Sequence, residues 1–220
     1  MNLVADALEP YLRANAIYFQ RNRPTMTAAS SIREANRGNY DLYLALHSNG
    51  APEDRYGEIR GIIAFYYPSS VQGRRFAELI VQQLRQIYPL PNRVNIQSTT
   101  SLGEVRQSRA PAVLVEIGYH DNYQDARWVE NNTDAIAQQL ARAVTEYFGL
   151  PFIYPITPMT GTVEVDSGRL NLRSRPDRTA PVIANIPDES EVRIYGEWQG
   201  WYTVEYQGLW GYAASAFIDT

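Results

Sequence analysis

No lysine and no cysteine occur among the 220 residues, so all 20 basic side chains are arginine. The first absence excludes Schiff-base chemistry through lysine, a phosphate-loop lysine and a Ser-Lys hydrolase. The second excludes disulfides, a thiol nucleophile and thiolate metal ligation, and it removes any reading of redox compartment from bridges. Histidine is nearly absent: only His47 and His120 are present. A metal site must draw on those two imidazoles, on carboxylates or on groups outside the chain. Long apolar runs are missing as well. None approaches the ~20 residues needed to cross a bilayer, so no membrane span is expected. Residues 1–13 are amphipathic and carry Asp6 and Glu9, which does not read as a secretory signal. Excess positive charge is also lacking. With 24 acidic residues the formal charge is −4, which argues against a nucleic-acid partner.

What is present is ordinary globular composition, 45% hydrophobic and 20% charged. Composition shifts near residue 150. Residues 1–150 hold 15 Arg and 15 Asp+Glu, whereas residues 151–220 hold 5 and 9 and carry the whole negative excess. Between them runs Pro151-Phe-Ile-Tyr-Pro-Ile-Thr-Pro158, whose prolines favour an extended chain. The organisation expected is a domain over 1–150, a Pro-rich linker over 151–160 and a second domain over 161–220.

Residues 1–150 alternate helical periodicity with apolar runs. Helices are expected over 1–13, from Pro24 to Asn36, from Ser69 or Ser70 to about Gln86, around 124–130 and over 133–147. Strands are expected at 17–20, 41–46, 61–66 and 111–117. The fold class expected is α/β, a mainly parallel twisted sheet with helices on both faces. Residues 161–220 change to short strands punctuated by Gly and Pro, which reads as a small all-β barrel.

Sites in open α/β sheets form beyond the carboxyl ends of strands. His47 closes the 41–46 run, and Glu116 lies near the end of the 111–117 run. A carboxylate in an apolar strand is costly unless paired or functional, and Arg106 or Arg109 is the alternative structural partner for Glu116. His47, Glu116 and His120 also make a conceivable histidine–carboxylate metal set.

These segments resemble a known family. Asp41-Leu-Tyr-Leu-Ala-Leu-His47-Ser-Asn49 is similar to the Ser-(Ile/Leu)-His-x-Asn motif of zinc-dependent N-acetylmuramoyl-L-alanine amidases, with Ala45 in place of the usual serine. Arg109-Ala-Pro-Ala-Val-Leu-Val-Glu116-Ile-Gly-Tyr-His-Asp-Asn122 resembles the family's Pro-Ala-x-Leu-Val-Glu-x-Gly-Phe-x-x-Asn segment, and Arg33-Glu-Ala-Asn36 approximates its Arg-x-x-x-Ala-Asn helix, with the arginine two residues nearer the Ala-Asn pair. The resemblance implies a zinc cofactor with His47 as a ligand and Glu116 as the catalytic carboxylate; Asn49 and Arg106 are candidate substrate-binding residues, the guanidinium being suited to stem-peptide carboxylates, with local structural hydrogen bonding as the alternative for both. It implies cleavage of the amide between the lactyl group of N-acetylmuramic acid and L-alanine in peptidoglycan, outside the cytoplasm. The alternative is a non-catalytic wall-binding protein with a degenerate amidase domain. The family's Gly-His-Gly loop and helix-opening glutamate, which complete its zinc site, have no counterpart in these residues. Met1 is therefore expected to be internal to a longer protein.

Leu170-Asn-Leu-Arg-Ser-Arg-Pro176 and Gly200-Trp-Tyr-Thr-Val-Glu-Tyr-Gln-Gly-Leu-Trp-Gly-Tyr212 resemble the opening and close of bacterial Src-homology-3-like domains, which implies a wall-binding module. Trp198, Trp201, Tyr202, Trp210 and Tyr212 are the candidate groove aromatics, with core packing as the alternative for most of them because a barrel this small needs large side chains inside.

Overall fold

The computed structural model describes all 220 residues, which group into two compact units. The first comprises Met1–Leu8 with Arg21–Phe148, and the second Glu9–Gln20 with Gly149–Thr220. The first helix, α1 (Asn2–Ala14), contributes to both, and its interior Pro10 lies beside the division.

In the first unit the chain runs through α2 (Ala28–Ala35), β1 (Tyr43–Asn49), β2 (Ile62–Tyr66), α3 (Val71–Leu84), β3 (Val94–Ser98), α4 (Gly103–Gln107), β4 (Ala112–Tyr119), α5 (Tyr123–Asn131) and α6 (Thr133–Phe148). Helix starts are capped as their sequences allow. Thr27 accepts from the Ser30 amide, Ser70 from that of Gly73, and Asn122 from those of Gln124 and Asp125. The sheet has strand order β1-β4-β2-β3. Pairs β1–β4 and β2–β3 are parallel, but β2–β4 is antiparallel, so the sheet is mixed. Val113, Val115 and Ile117 of β4 are buried on the face that α3 helps to cover, while α4 packs on β4 from the face carrying Ala112 and Leu114.

Glycine is required at one point near the sheet's end. Gly118 has φ +72°, and a Cβ there would meet the Asp125 Cβ at 3.2 Å.

The second unit is an antiparallel sheet of β5 (Met159–Val163), β6 (Arg169–Arg173), β7 (Val182–Pro187), β8 (Glu191–Trp198), β9 (Trp201–Tyr206), β10 (Leu209–Ala214) and β11 (Ile218–Asp219). Its strand order is β11-β5-β8-β9-β10-β6-β7, and the two end strands are not paired to each other, so the sheet is not a closed barrel. Val163, Leu172, Ile186, Val192, Ile194 and Val204 form its core. Alternation of inward and outward residues along each strand places them there.

Residues 9–20 are integral to this unit. The Asn15 side chain is fully buried, donating to Ile153 O at 2.9 Å and accepting from Ile153 N at 2.7 Å. The Thr203 hydroxyl donates to Ala14 O and the Tyr212 hydroxyl to Asn15 O. A Cβ at Gly196 would come within 2.9 Å of Ala14 O, so glycine permits the approach of β8.

The expected strand at 17–20 does not form. Instead α1 ends in a Schellman closure. Ile17 N bonds Leu12 O, Ala16 N bonds Arg13 O, and Ala16 takes φ +52°. A left-handed alanine costs roughly 1 kcal/mol relative to glycine. Ala16→Gly is therefore expected to raise the urea midpoint of unfolding by an amount equivalent to about 1 kcal/mol.

Candidate functional site

The site is assembled at the carboxyl ends of two neighbouring parallel strands. In the β1–β4 register Tyr43 faces Ala112, Ala45 faces Leu114 and His47 faces Glu116. Register partners in a parallel pair project from the same face, so His47 and Glu116 share one side of the sheet. Below them, Ala45, Val105, Ala112 and Leu114 form a small apolar cluster with Tyr43, Phe65 and Leu102 packed around it. That cluster seats α4 and brings Glu104 to the same place.

Glu104 is 8% exposed. Its Oε1 accepts from the Tyr43 hydroxyl at 3.0 Å, and its Oε2 lies 3.0 Å from His47 Nε2. Burial raises the proton affinity of Glu104, but the bonds from His47 and Tyr43 outweigh it and hold the carboxyl below the ordinary glutamate value. The bond to Glu104 holds the His47 imidazolium above its ordinary pKa, against the opposing effect of burial. Burial, helped by the Glu104 charge, pushes the Tyr43 phenol up.

Glu116 has no such support. Its Oε2 is buried and has no hydrogen-bond partner. Burial raises its pKa, the charges of His47 and His120 pull it down, and that of Glu104 adds to the rise. A partly buried carboxylate with an unengaged oxygen beside an imidazole is suited to accept and return a proton.

The His47–Glu104 pair gives stability a definite pH dependence. Glu104's contribution is present above its unfolded pKa of 4.5 and is lost as pH falls through its depressed folded value. His47's is fully present below 6.5 and is lost as pH rises through its elevated folded value. The pair thus contributes most between 4.5 and 6.5. Urea midpoints measured from pH 5 to 9 are expected to decline across the histidine range, and His47→Asn is expected to flatten that decline.

The remaining residues singled out in the sequence are placed as follows. Asn49 ends β1 after a register shift; its Oδ1 accepts from Gly50 N, and its carbonyl accepts from His120 N at 2.9 Å. Arg106 is exposed on α4. Arg109 is engaged with Asn36. Neither arginine pairs with Glu116, so the structural partner weighed for that carboxylate is not found. His120 is exposed, with Nδ1 3.4 Å from Ser48 O. The residue that sequence reasoning missed is Glu104. Its signal was an ionisable side chain between Leu102 and Val105 in a segment otherwise read only for Arg106.

The side chains were tested against the zinc that the family resemblance implies. A catalytic zinc takes three protein ligands, and no group of three His, Asp or Glu side chains comes together that could hold an ion. His47, Glu116 and His120 likewise do not come together as such a group. The residues present do not complete a zinc site.

A mixed α/β sheet with a His–Glu pair at its strand ends is followed in the chain by an antiparallel sheet rich in aromatics. Residues 1–146 match the N-acetylmuramoyl-L-alanine amidase family model, and residues 168–219 match that of bacterial Src-homology-3 domains. The chain belongs to the N-acetylmuramoyl-L-alanine amidase family. It is 30% identical over 116 residues to an uncharacterized protein of Clostridium perfringens, covering 52% of this chain and 34% of that protein. The chain thus spans about a third of the length of that curated relative. Among solved structures it resembles the N-acetylmuramoyl-L-alanine amidase AmiC2 of Nostoc punctiforme, at TM-score 0.59 and 20% identity over 67% of this chain and 81% of that one. It also resembles the catalytic domain of the amidase CwlV from Bacillus (Paenibacillus) polymyxa, at TM-score 0.56 and 22% identity over 67% and 83%. At these identities the likeness concerns the fold.

Proposed function

We propose that the chain is the catalytic and wall-binding part of a peptidoglycan hydrolase that cleaves the amide between the lactyl group of N-acetylmuramic acid and L-alanine of the stem peptide. The observation that carries this reading is the strand-end pair His47 and Glu116, held in register in a chain of the amidase family. Glu116 is the proton carrier. Its unengaged Oε2 takes a proton from the water that adds to the amide carbon, and the same carboxyl delivers it to the departing nitrogen. The C–N bond breaks, leaving the lactyl carboxylate and a free L-alanine amine. Asn49 and the exposed Arg106 are assigned to substrate, the guanidinium pairing with stem-peptide carboxylates. Zinc is the cofactor implied by the family, and His47 is the one residue that matches a ligand. No step is assigned to the metal on the residues present.

Residues 161–220 are assigned to wall binding, which raises the local concentration of enzyme on its polymer. Trp198, Trp201 and Trp210 remain half-buried and available for a groove, whereas Tyr202 packs against the core of its unit. Tyr212 is fully buried and leaves the candidate set. This assignment places the protein outside the cytoplasm, at the cell wall or secreted.

A second reading is favoured by one observation, the incomplete ligand set. In it the chain binds wall without cleaving it. Purified sacculi separate the two: new N-terminal alanine amines released into solution, measured together with the zinc content of the protein, establish hydrolysis. Binding without release establishes the alternative.

A further inference from the structure

Tyr43, Ala45 and His47 alternate along one face of β1, and α4 sits over the smallest of them through Val105. The adjacent Glu104 carboxylate is thereby brought between the two larger side chains. One oxygen accepts from the Tyr43 hydroxyl and the other meets His47 Nε2, each at 3.0 Å. A carboxylate this buried is tolerable because both oxygens are engaged. An ionised carboxylate carries no hydrogen, so the shared hydrogen in the second contact belongs to Nε2.

We propose that Glu104 is a positioning residue which, anchored by Tyr43, holds His47 as the Nε2-protonated tautomer and leaves Nδ1 as the ring nitrogen with a free lone pair. The hydrogen bond on one ring nitrogen decides what the other can do. Carboxylates that orient a metal-ligating histidine commonly control affinity or activity by about 10–100-fold, and that scale is carried over to His47. The consequence for hydrolysis rests on the amidase reading above, whereas the hold on the ring does not.

The test uses the full chain labelled with ¹⁵N-histidine. It has two histidines, so His120→Gln assigns the His47 ring signals. At a pH where the ring is neutral, the wild type is expected to show the Nε2-protonated pattern alone. Glu104→Leu is expected to give averaged tautomers. Glu104→Gln, whose amide oxygen still accepts, is expected to restore the single pattern. Should Glu104→Leu fail to fold, Tyr43→Phe removes only the anchor and is expected to broaden the pattern towards the mixture. A His47 pattern unchanged in Glu104→Leu or in Tyr43→Phe overturns the proposal, as does an Nδ1-protonated wild type. In parallel, release from sacculi is expected to fall about 10–100-fold in Glu104→Leu and to recover in Glu104→Gln. A wild type inactive on sacculi but showing the expected ring pattern overturns the amidase reading and supports the positioning role.

Discussion

In Glu116→Gln, release of stem peptide from sacculi is expected to fall by about 10²–10⁴-fold, the usual contribution of a positioned proton carrier. The fold is expected to survive. Glutamine has the same shape, and the wild-type carboxylate is held at a raised pKa chiefly by burial. The sign of its pH dependence follows. A carboxyl with a raised folded pKa contributes most below its unfolded value of 4.5, and that contribution is lost as pH rises through the folded value. Glutamine does not titrate, so the variant is expected to match or exceed wild-type stability at neutral pH and to lose this component of the pH profile. Binding to sacculi is expected to persist, because the aromatics assigned to it belong to the other unit. Undiminished release by Glu116→Gln would exclude the proposed mechanism.

Asp125→Ala is expected to be the most destabilising single change in the first unit. Asp125 is fully buried and accepts from Arg60 Nε at 2.8 Å, the Tyr88 hydroxyl at 2.6 Å, Gly61 N at 3.0 Å and Tyr119 N at 3.1 Å. Removing it leaves the Nε of the partly buried Arg60, whose guanidinium keeps its exposed bond to Gln124, and three further donors without their acceptor. Breaking one side of a buried ion pair costs about 3–5 kcal/mol. The same residue ties the start of β2 and the end of β4 to α5, beside the bend at Gly118. Urea unfolding followed by circular dichroism should show the loss as a lower midpoint at unchanged slope. Asp125→Asn keeps one acceptor oxygen and is expected to fall between the two. A change below about 1 kcal/mol in Asp125→Ala would mean that water replaces the carboxylate, contrary to its burial.

The parts of this protein that were readable in its residues are those whose signal is local. The apolar runs announced the strands β1 and β4, of which β4 is buried and β1 is an edge strand with only Ala45 buried, and His47 and Glu116 were visible because ionisable groups interrupt those runs. Orientation was less accessible. Nothing in residues 61–66 states that β2 runs antiparallel to β4, since strand direction depends on how the intervening chain returns. β3 carries only Val94 and Ile96 as apolar residues on an outer strand, and α4 is five residues long without a side-chain cap. Both escaped notice, and Glu104 escaped with them. At Ile17-Tyr-Phe-Gln20 the β-branched and aromatic side chains suggested a strand, but Ala16 in the left-handed region closes the helix there and no neighbouring strand pairs with the segment. Tyr212 stood among the groove candidates with core packing as the alternative, and it is the core that takes it. The Tyr212 hydroxyl is spent on the Asn15 carbonyl, a contact 197 residues away in the chain.

That last contact bears on how such a protein can be recombined. The abrupt change in composition near residue 150 invites a crossover there, as though the last third of this sequence were a cassette. A cassette cut at that point would carry the hydroxyls of Thr203 and Tyr212 and the backbone of Ile153 into a new host without Ala14 and Asn15, the groups they bond. Transplantation is expected to succeed only when residues 9–20 travel with the cassette or when the recipient supplies an equivalent helix end. Inheritance of this module is therefore discontinuous along the gene, with a dozen codons near one end of the segment bound to the fate of some seventy at the other.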